Sequence, residues 1–235
     1  MKKLQQAVLV GLYAIVILII IFFLFLILDL FFFVFAQKNG EPNLLVDANT
    51  QKILYYVYGV RNLTYFEKLQ ILRASDYFPK NMKGDIDYAD KIFPDKKVTD
   101  FDKNWILRFH KENGNPKIVI GCWSLEEKKS VYWQYRNLIV ISPFDQEGIR
   151  PVSLDTYFNE LAHAHQWTKE PIFNFFRHKL DLTRCWLATK VLGIEASVYN
   201  IPGTLEYTAH NILTPALEQE YKIYRQKYEN KKARK

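Results

Sequence analysis

The chain has 235 residues, a net charge of +7, 49% hydrophobic residues and two cysteines. So few cysteines at this length exclude a disulfide-stapled mini-domain, and the length supports a sizeable core. The basic excess does not indicate nucleic acid, because no element interleaves basic and aromatic side chains on one face. Part of it sits at the extreme C-terminus, in Lys231, Lys232, Arg234 and Lys235, where a solvated tail or contact with anionic lipid is the plainer account.

Ala7 to Leu28 is a run of 22 residues without a charge. As a helix it would extend roughly 33 Å, enough for the hydrocarbon core of a bilayer. Asp29 interrupts the run, and Leu30 to Ala36 resumes it. Cleavage after Val34-Phe35-Ala36 would make the segment a signal peptide, but its apolar stretch exceeds the usual signal core. Residues 1–36 therefore read as a single-pass membrane anchor, with secretion after cleavage as the alternative. Lys2 and Lys3 precede the span, and no basic excess follows it among Lys38, Glu41 and Asp47. That asymmetry places the N-terminus in the cytosol and the main domain outside.

Residues 37–52 are polar and read as a linker, and residues 53–235 as one domain with a basic C-terminal tail. Ile53 to Val60 is rich in β-branched and aromatic residues and predicts a strand. Leu63, Phe66, Leu69 and Leu72 recur at helical spacing and predict a helix over 63–75. Residues 81–102 are charged and turn-rich. Ile106 to Lys111 predicts the end of a short helix, closed by Asn113-Gly114. Lys117–Cys122 and Leu138–Ser142 predict strands, with a third over Val131–Tyr135 joined through Arg136 and Asn137. Cys122 and Cys185 are compatible with a disulfide or with two buried thiols.

After Pro143 the pattern turns helical. Ser153 caps a helix over 154–167, a second helix covers 173–192, and Thr204 opens a third that reaches about Lys227, with a kink at Pro215. Strands followed by helices make the fold class α+β, with a small mixed sheet plus helices after the N-terminal transmembrane helix. At 100° per residue, Leu154, Phe158, Leu161 and His165 form the packing stripe of the first of these helices. Asn159, Glu160, His163 and Trp167 fall on the opposite side. His165 then reads as a packed histidine bonded to a backbone carbonyl, and Gln166 as cleft-lining or solvated. His110 and His178 read as structural or exposed. Glu206 and His210 lie four apart, on one face of the third helix, and can meet one ion or each other.

Residues 159–163, Asn-Glu-Leu-Ala-His, differ by one letter from the His-Glu-x-x-His helix of zinc peptidases. With the strand at 138–142 and a later helix bearing Glu206, the stretch from Lys117 to Tyr221 resembles the zincin metallopeptidase core, of the gluzincin type. Glu-Leu-Ala-His-Ala-His-Gln and Pro-Gly-Thr-Leu-Glu-Tyr-Thr-Ala-His also resemble zincin-like proteins of bacterial cell envelopes, a likeness that implies no known activity. The resemblance implies zinc as cofactor, His163 and Glu206 as metal ligands and Glu160 as the catalytic base. Asn159 departs from it at the first ligand, and an amide binds zinc poorly. His210 is the available replacement, giving a His163, Glu206 and His210 set.

Two readings follow. One is a membrane-anchored zinc peptidase or hydrolase acting on a peptide or protein substrate. The other is a catalytically inactive zincin-fold protein of the cell envelope that keeps its cleft for binding or a structural role. Membrane lipid is a partner under either reading, and nucleic acid is not.

Overall fold

The computed structural model describes residues 2–35, 43–46, 49–74, 86–122, 129–145, 148–149 and 152–234. The chain forms two separate compact units, Met1–Asn39 and Gly40–Lys235. Helix α1, Lys2–Phe35, is the described part of the first. Its Leu9–Leu28 stretch has a mean hydropathy of 3.3 and no buried share, so it is long and apolar enough to cross a membrane.

The second unit is mixed α+β. It opens with strand β1, Asn43–Val46, and helix α2, Thr50–Val57. Both correct the sequence reading. The segment expected to be a linker contains a strand that pairs antiparallel with a later one, while residues 37–42 and 47–48 lie outside the described ones. The strand expected from Ile53 is helical instead. Asn49 caps it, its side chain accepting from the Lys52 amide at 3.2 Å, and Ile53, Leu54, Tyr56 and Val57 are buried. That spacing is one helical face, and its burial overrides the strand preference of the individual residues.

Helix α3, Tyr65–Ala74, agrees with the expected helix except at Phe66, which is 77% exposed. The turn-rich stretch contains a short helix, α4, over Ile86–Ile92; residues 81–85 lie outside the described ones. Helix α5, Lys103–Glu112, ends at Asn113 as expected.

Strands β2 (Lys117–Cys122), β3 (Val131–Trp133) and β4 (Leu138–Ile141) complete a four-stranded sheet in the order β1-β2-β4-β3. Strands β2 and β4 run parallel, while β1 and β3 are antiparallel to their neighbours, so the sheet is mixed. Central strands covered on both faces need apolar residues throughout. Ile118, Ile120, Ile139 and Ile141 are fully buried on one face. Val119, Trp133, Leu138 and Val140 form a core cluster on the other. Asn137, left-handed at φ 48°, turns the chain into β4. Its amide donates to the Gly114 carbonyl at 2.9 Å and its carbonyl oxygen accepts from the Tyr132 hydroxyl at 2.9 Å. A two-stranded ribbon follows, β5 (Phe144–Asp145) with β6 (Gly148–Ile149).

Helices α6 (Leu154–Lys169) and α7 (Pro171–Lys190) come next. The expected third helix is a short α8 (Leu205–Thr208), a π turn over Ala209–Leu213, and α9 (Thr214–Ala233). The kink expected at Pro215 takes this widened form, because the proline ring has no N–H and crowds the carbonyl four residues back. Helix α9 also absorbs most of the expected basic tail. Lys231 and Lys232 lie in its last turn, where cations complement the helix dipole, and Lys232 pairs with Asp100. Lys235 lies outside the described residues.

An aromatic cluster binds α9 to the rest of the domain. Tyr221 stacks on Phe101 at 5.6 Å, Tyr224 stacks on Trp105 at 3.7 Å, and Tyr58 meets Tyr157, Phe158 and Tyr221. Cys122 and Cys185 are separate buried thiols, not a disulfide. Gly114 combines φ +100° with close approach to α6: a Cβ there would come 2.8 Å from the Ala164 carbonyl oxygen and 2.8 Å from Thr168 Oγ1. Gly114→Ala is expected to lose more than about 1 kcal/mol of stability. An unchanged urea midpoint would contradict that close contact.

Candidate metal centre

Helix α6 is anchored at its start by Ser153, whose hydroxyl accepts from the Thr156 amide at 3.1 Å. The helix contacts β3, β4, α7, α9 and the π turn, and is buried nearly all round. The expected division into one packing face and one polar face is therefore incomplete. Leu154 is only half-buried, and Glu160 and His163 are as enclosed as the apolar residues. Enclosure of ionisable groups is costly unless they are neutral or paired. Burial pushes the His163 imidazole down to about 3, with His210 and His178 adding to the effect. Burial pushes Glu160 up to about 8, against a hydrogen bond from the Tyr132 amide and with the Glu206 carboxylate raising it further.

The third helical stretch reaches α6 because Leu205 is clamped from both sides. Its amide donates to Asp181 Oδ2 on α7 at 2.9 Å, and its carbonyl accepts from Gln166 Nε2 on α6 at 3.2 Å. Thr204 caps the same turn, accepting from the Tyr207 amide at 3.1 Å, and Arg177 donates to the Gly203 carbonyl at 2.6 Å. Gln166 is thus buried and holds a backbone, rather than lining the cleft or meeting water. Asp181 went unnoticed in the sequence. The available signal was an acid alone among the basic residues of α7.

The outcome is convergence. His163 Nε2 lies 3.5 Å from Glu206 Oε2. The His163 and His210 rings meet edge to face at 5.8 Å. One ligand atom from each of His163, Glu206 and His210 lies within 4.8 Å of the others. Atoms bound to a tetrahedral zinc at 2.0–2.2 Å are about 3.4 Å apart, so the His163–Glu206 separation already suits a shared ion. Two imidazoles held neutral and a carboxylate are a donor set that zinc accepts. Burial and Asp181 raise Glu206, and burial lowers His210.

Asn159 is outside this triad. Its amide nitrogen lies 3.5 Å from Glu160 Oε1, and its oxygen lies 3.4 Å from the Thr214 hydroxyl. Asn159 is therefore drawn into a local polar network.

These groups line a cleft of about 540 Å³ that also takes in Tyr132 and Lys129 beside the sheet edge, and Tyr199 and His178. No family model, curated protein or solved structure matches the chain.

His178, expected to be structural or exposed, is half-buried at the cleft wall and meets the Trp167 ring edge at 6.0 Å. Tyr199, which no motif singled out, meets His210 at 5.2 Å. His165 is a packed histidine, but its Nδ1–H donates to the Asn113 side-chain oxygen at 2.9 Å, not to a backbone carbonyl. His110 is structural as expected. Its Nε2–H donates to the Pro116 carbonyl at 2.7 Å, its Nδ1 accepts from Tyr157, and burial lowers it to about 4.

Proposed function

We propose that this chain is a single-pass, membrane-anchored zinc hydrolase of the zincin-like, gluzincin type, acting on peptide or protein outside the cytosol. The observation that carries the reading is the convergence of His163, Glu206 and His210 beside a buried Glu160. His163, Glu206 and His210 hold the metal in this reading, with His210 replacing the ligand missing at Asn159. When bound, zinc supplies Lewis acidity toward a carbonyl and makes water ionisable near neutral pH.

Glu160 is the proton carrier. Its carboxylate takes the proton of the attacking water and returns it to the leaving amine. Burial favours its protonated form, and the metal's charge favours the ionised one, so the same carboxyl can serve both steps. The Tyr132 amide, on the edge strand of the sheet, orients it. An extended peptide running beside β3 would bring its backbone to the same cleft, which favours peptide over other carbonyl substrates. The length and apolarity of Leu9–Leu28 support the anchor. Lys2 and Lys3 ahead of it support a cytosolic N-terminus.

Metal analysis of the purified full chain tests the reading. Wild type is expected to carry one zinc per chain. His210→Ala is expected to lose at least about tenfold in zinc affinity, since loss of even an outer-shell partner of a metal ligand costs that much. No zinc in wild type, or equal affinity in His210→Ala, would leave the cleft as a binding site without metal.

A further inference from the structure

We propose that the outer face of α7 and the turn after it form a docking surface for an anionic lipid bilayer. The inner face of the helix is used up within the domain: Asn174, Phe175, Asp181 and Cys185 are buried. The outer face carries Ile172, Phe173, Leu180 and Leu187, all exposed, with Leu180 at 61%. At 100° per residue these four fall within about 100° of one another, a continuous stripe. Just past the helix end Val191, Leu192 and Ile194 are exposed as well, Leu192 at 67%. A soluble surface seldom leaves so much apolar area in one place without a partner.

The charges decide the partner. Arg177 and Arg184 follow one edge of the stripe, and Lys179 and Lys190 the other. The helix has one acid, Asp181, which is buried, holds the Leu205 amide and lies 3.7 Å from the Arg184 guanidinium. Trp186 stands at the rim, 58% exposed. An apolar stripe flanked by cations, with a tryptophan at its border, is the pattern of a helix lying in a headgroup layer. The stems of arginine and lysine extend along the acyl boundary while their charges reach the phosphates. A second copy of this face is a poorer occupant, because two such helices packed together would juxtapose like charges along both edges.

The proposal rests on the membrane-anchored reading of α1, which supplies the bilayer. Only residues 36–42 separate that helix from β1, so the local lipid concentration at the domain is high.

The full chain, reconstituted in vesicles of phosphatidylcholine and phosphatidylglycerol with brominated acyl chains, provides the test. Bromine quenches tryptophan on contact, and the difference between wild type and Trp186→Phe isolates Trp186. That difference is expected to be strongly quenched. Leu180→Asp with Leu187→Asp, exposed positions whose change leaves the thermal midpoint intact, should abolish it. Arg184→Glu with Lys190→Glu, or vesicles of phosphatidylcholine alone, should reduce it about threefold or more.

Resistance of the same vesicles to alkaline carbonate extraction reads α1 separately. Extraction of the chain would overturn the anchor reading alone. An unquenched Trp186 overturns the docking surface whether or not the chain is extracted. If Trp186 stays unquenched and the double aspartate variant abolishes a cross-linked dimer, the face belongs to a second copy. Equal quenching in neutral vesicles overturns the requirement for anionic lipid.

Discussion

Glu160→Gln is expected to lower turnover of the zinc-loaded protein by about 10²–10⁴-fold while zinc content is unchanged. The substitution keeps the volume and one acceptor of the side chain but removes its ability to take a proton. A mixture of unstructured peptides, followed by mass spectrometry with and without chelator, is the suitable assay because it presents many sequences at once. Wild-type rates in the variant would remove Glu160 from the chemistry. Absence of cleavage by zinc-loaded wild type would favour a catalytically inactive binding protein of the cell envelope.

The same variant has a second, independent readout in the metal-free protein. Burial raises Glu160 from 4.5 to about 8 in the fold. Between those values the unfolded chain releases the proton that the folded chain retains. The stabilising contribution is complete below pH 4.5 and is lost as pH rises through 8. The full difference corresponds to roughly 5 kcal/mol at most. Metal-free Glu160→Gln should therefore melt higher than metal-free wild type at pH 8 and converge with it at pH 4.5. Parallel melting curves across that range would contradict the enclosure of the carboxyl group.

Phe158→Ala is expected to cost about 3–5 kcal/mol. Phe158 is fully buried and lies at the crossing of α2, α5, α6 and α9. Its ring meets Tyr58 at 6.1 Å, Phe109 at 6.3 Å, Tyr157 at 5.7 Å and Tyr221 at 5.4 Å. The loss is a large part of the stability of an ordinary domain. Tyr221 belongs to α9, which continues from the turn bearing His210, so hydrogen exchange over 214–233 should rise together with the loss of zinc affinity. Urea denaturation measures the first effect. A cost below about 1 kcal/mol would mean that the ring cluster is not what holds α9.

Much of the site was legible because its signals are local. Ser153 and Thr204 are capping residues next to helical patterns, and both cap. Glu160 and His163 sit three apart on one helix, and Glu206 and His210 four apart across α8 and the π turn that continues it, so helical spacing alone pairs them within each stretch. The strands at 117–122 and 138–141 were legible because buried parallel strands read as unbroken apolar runs. Ile53 to Val60 misled because β-branched and aromatic residues also suit one buried face of a helix, and only the Asn49 cap signalled the difference. The strand at 43–46 was hidden in a polar stretch, since its pairing depends on β2, more than 70 residues away.

By itself, then, the sequence determined the apolar N-terminal helix, the α+β class, the helix caps at Ser153 and Thr204 and the residue types available for metal chemistry, because these depend on neighbours within a few positions. The tertiary structure decided whether the two acid–histidine pairs meet. That required Asp181 and Gln166 to grip the two sides of Leu205, and the aromatic cluster to hold α9 against α6. It also decided that the outer face of α7 stays uncovered by the described residues, which no periodicity can reveal: a stripe at helical spacing looks the same whether it faces a core or a solvent-exposed side.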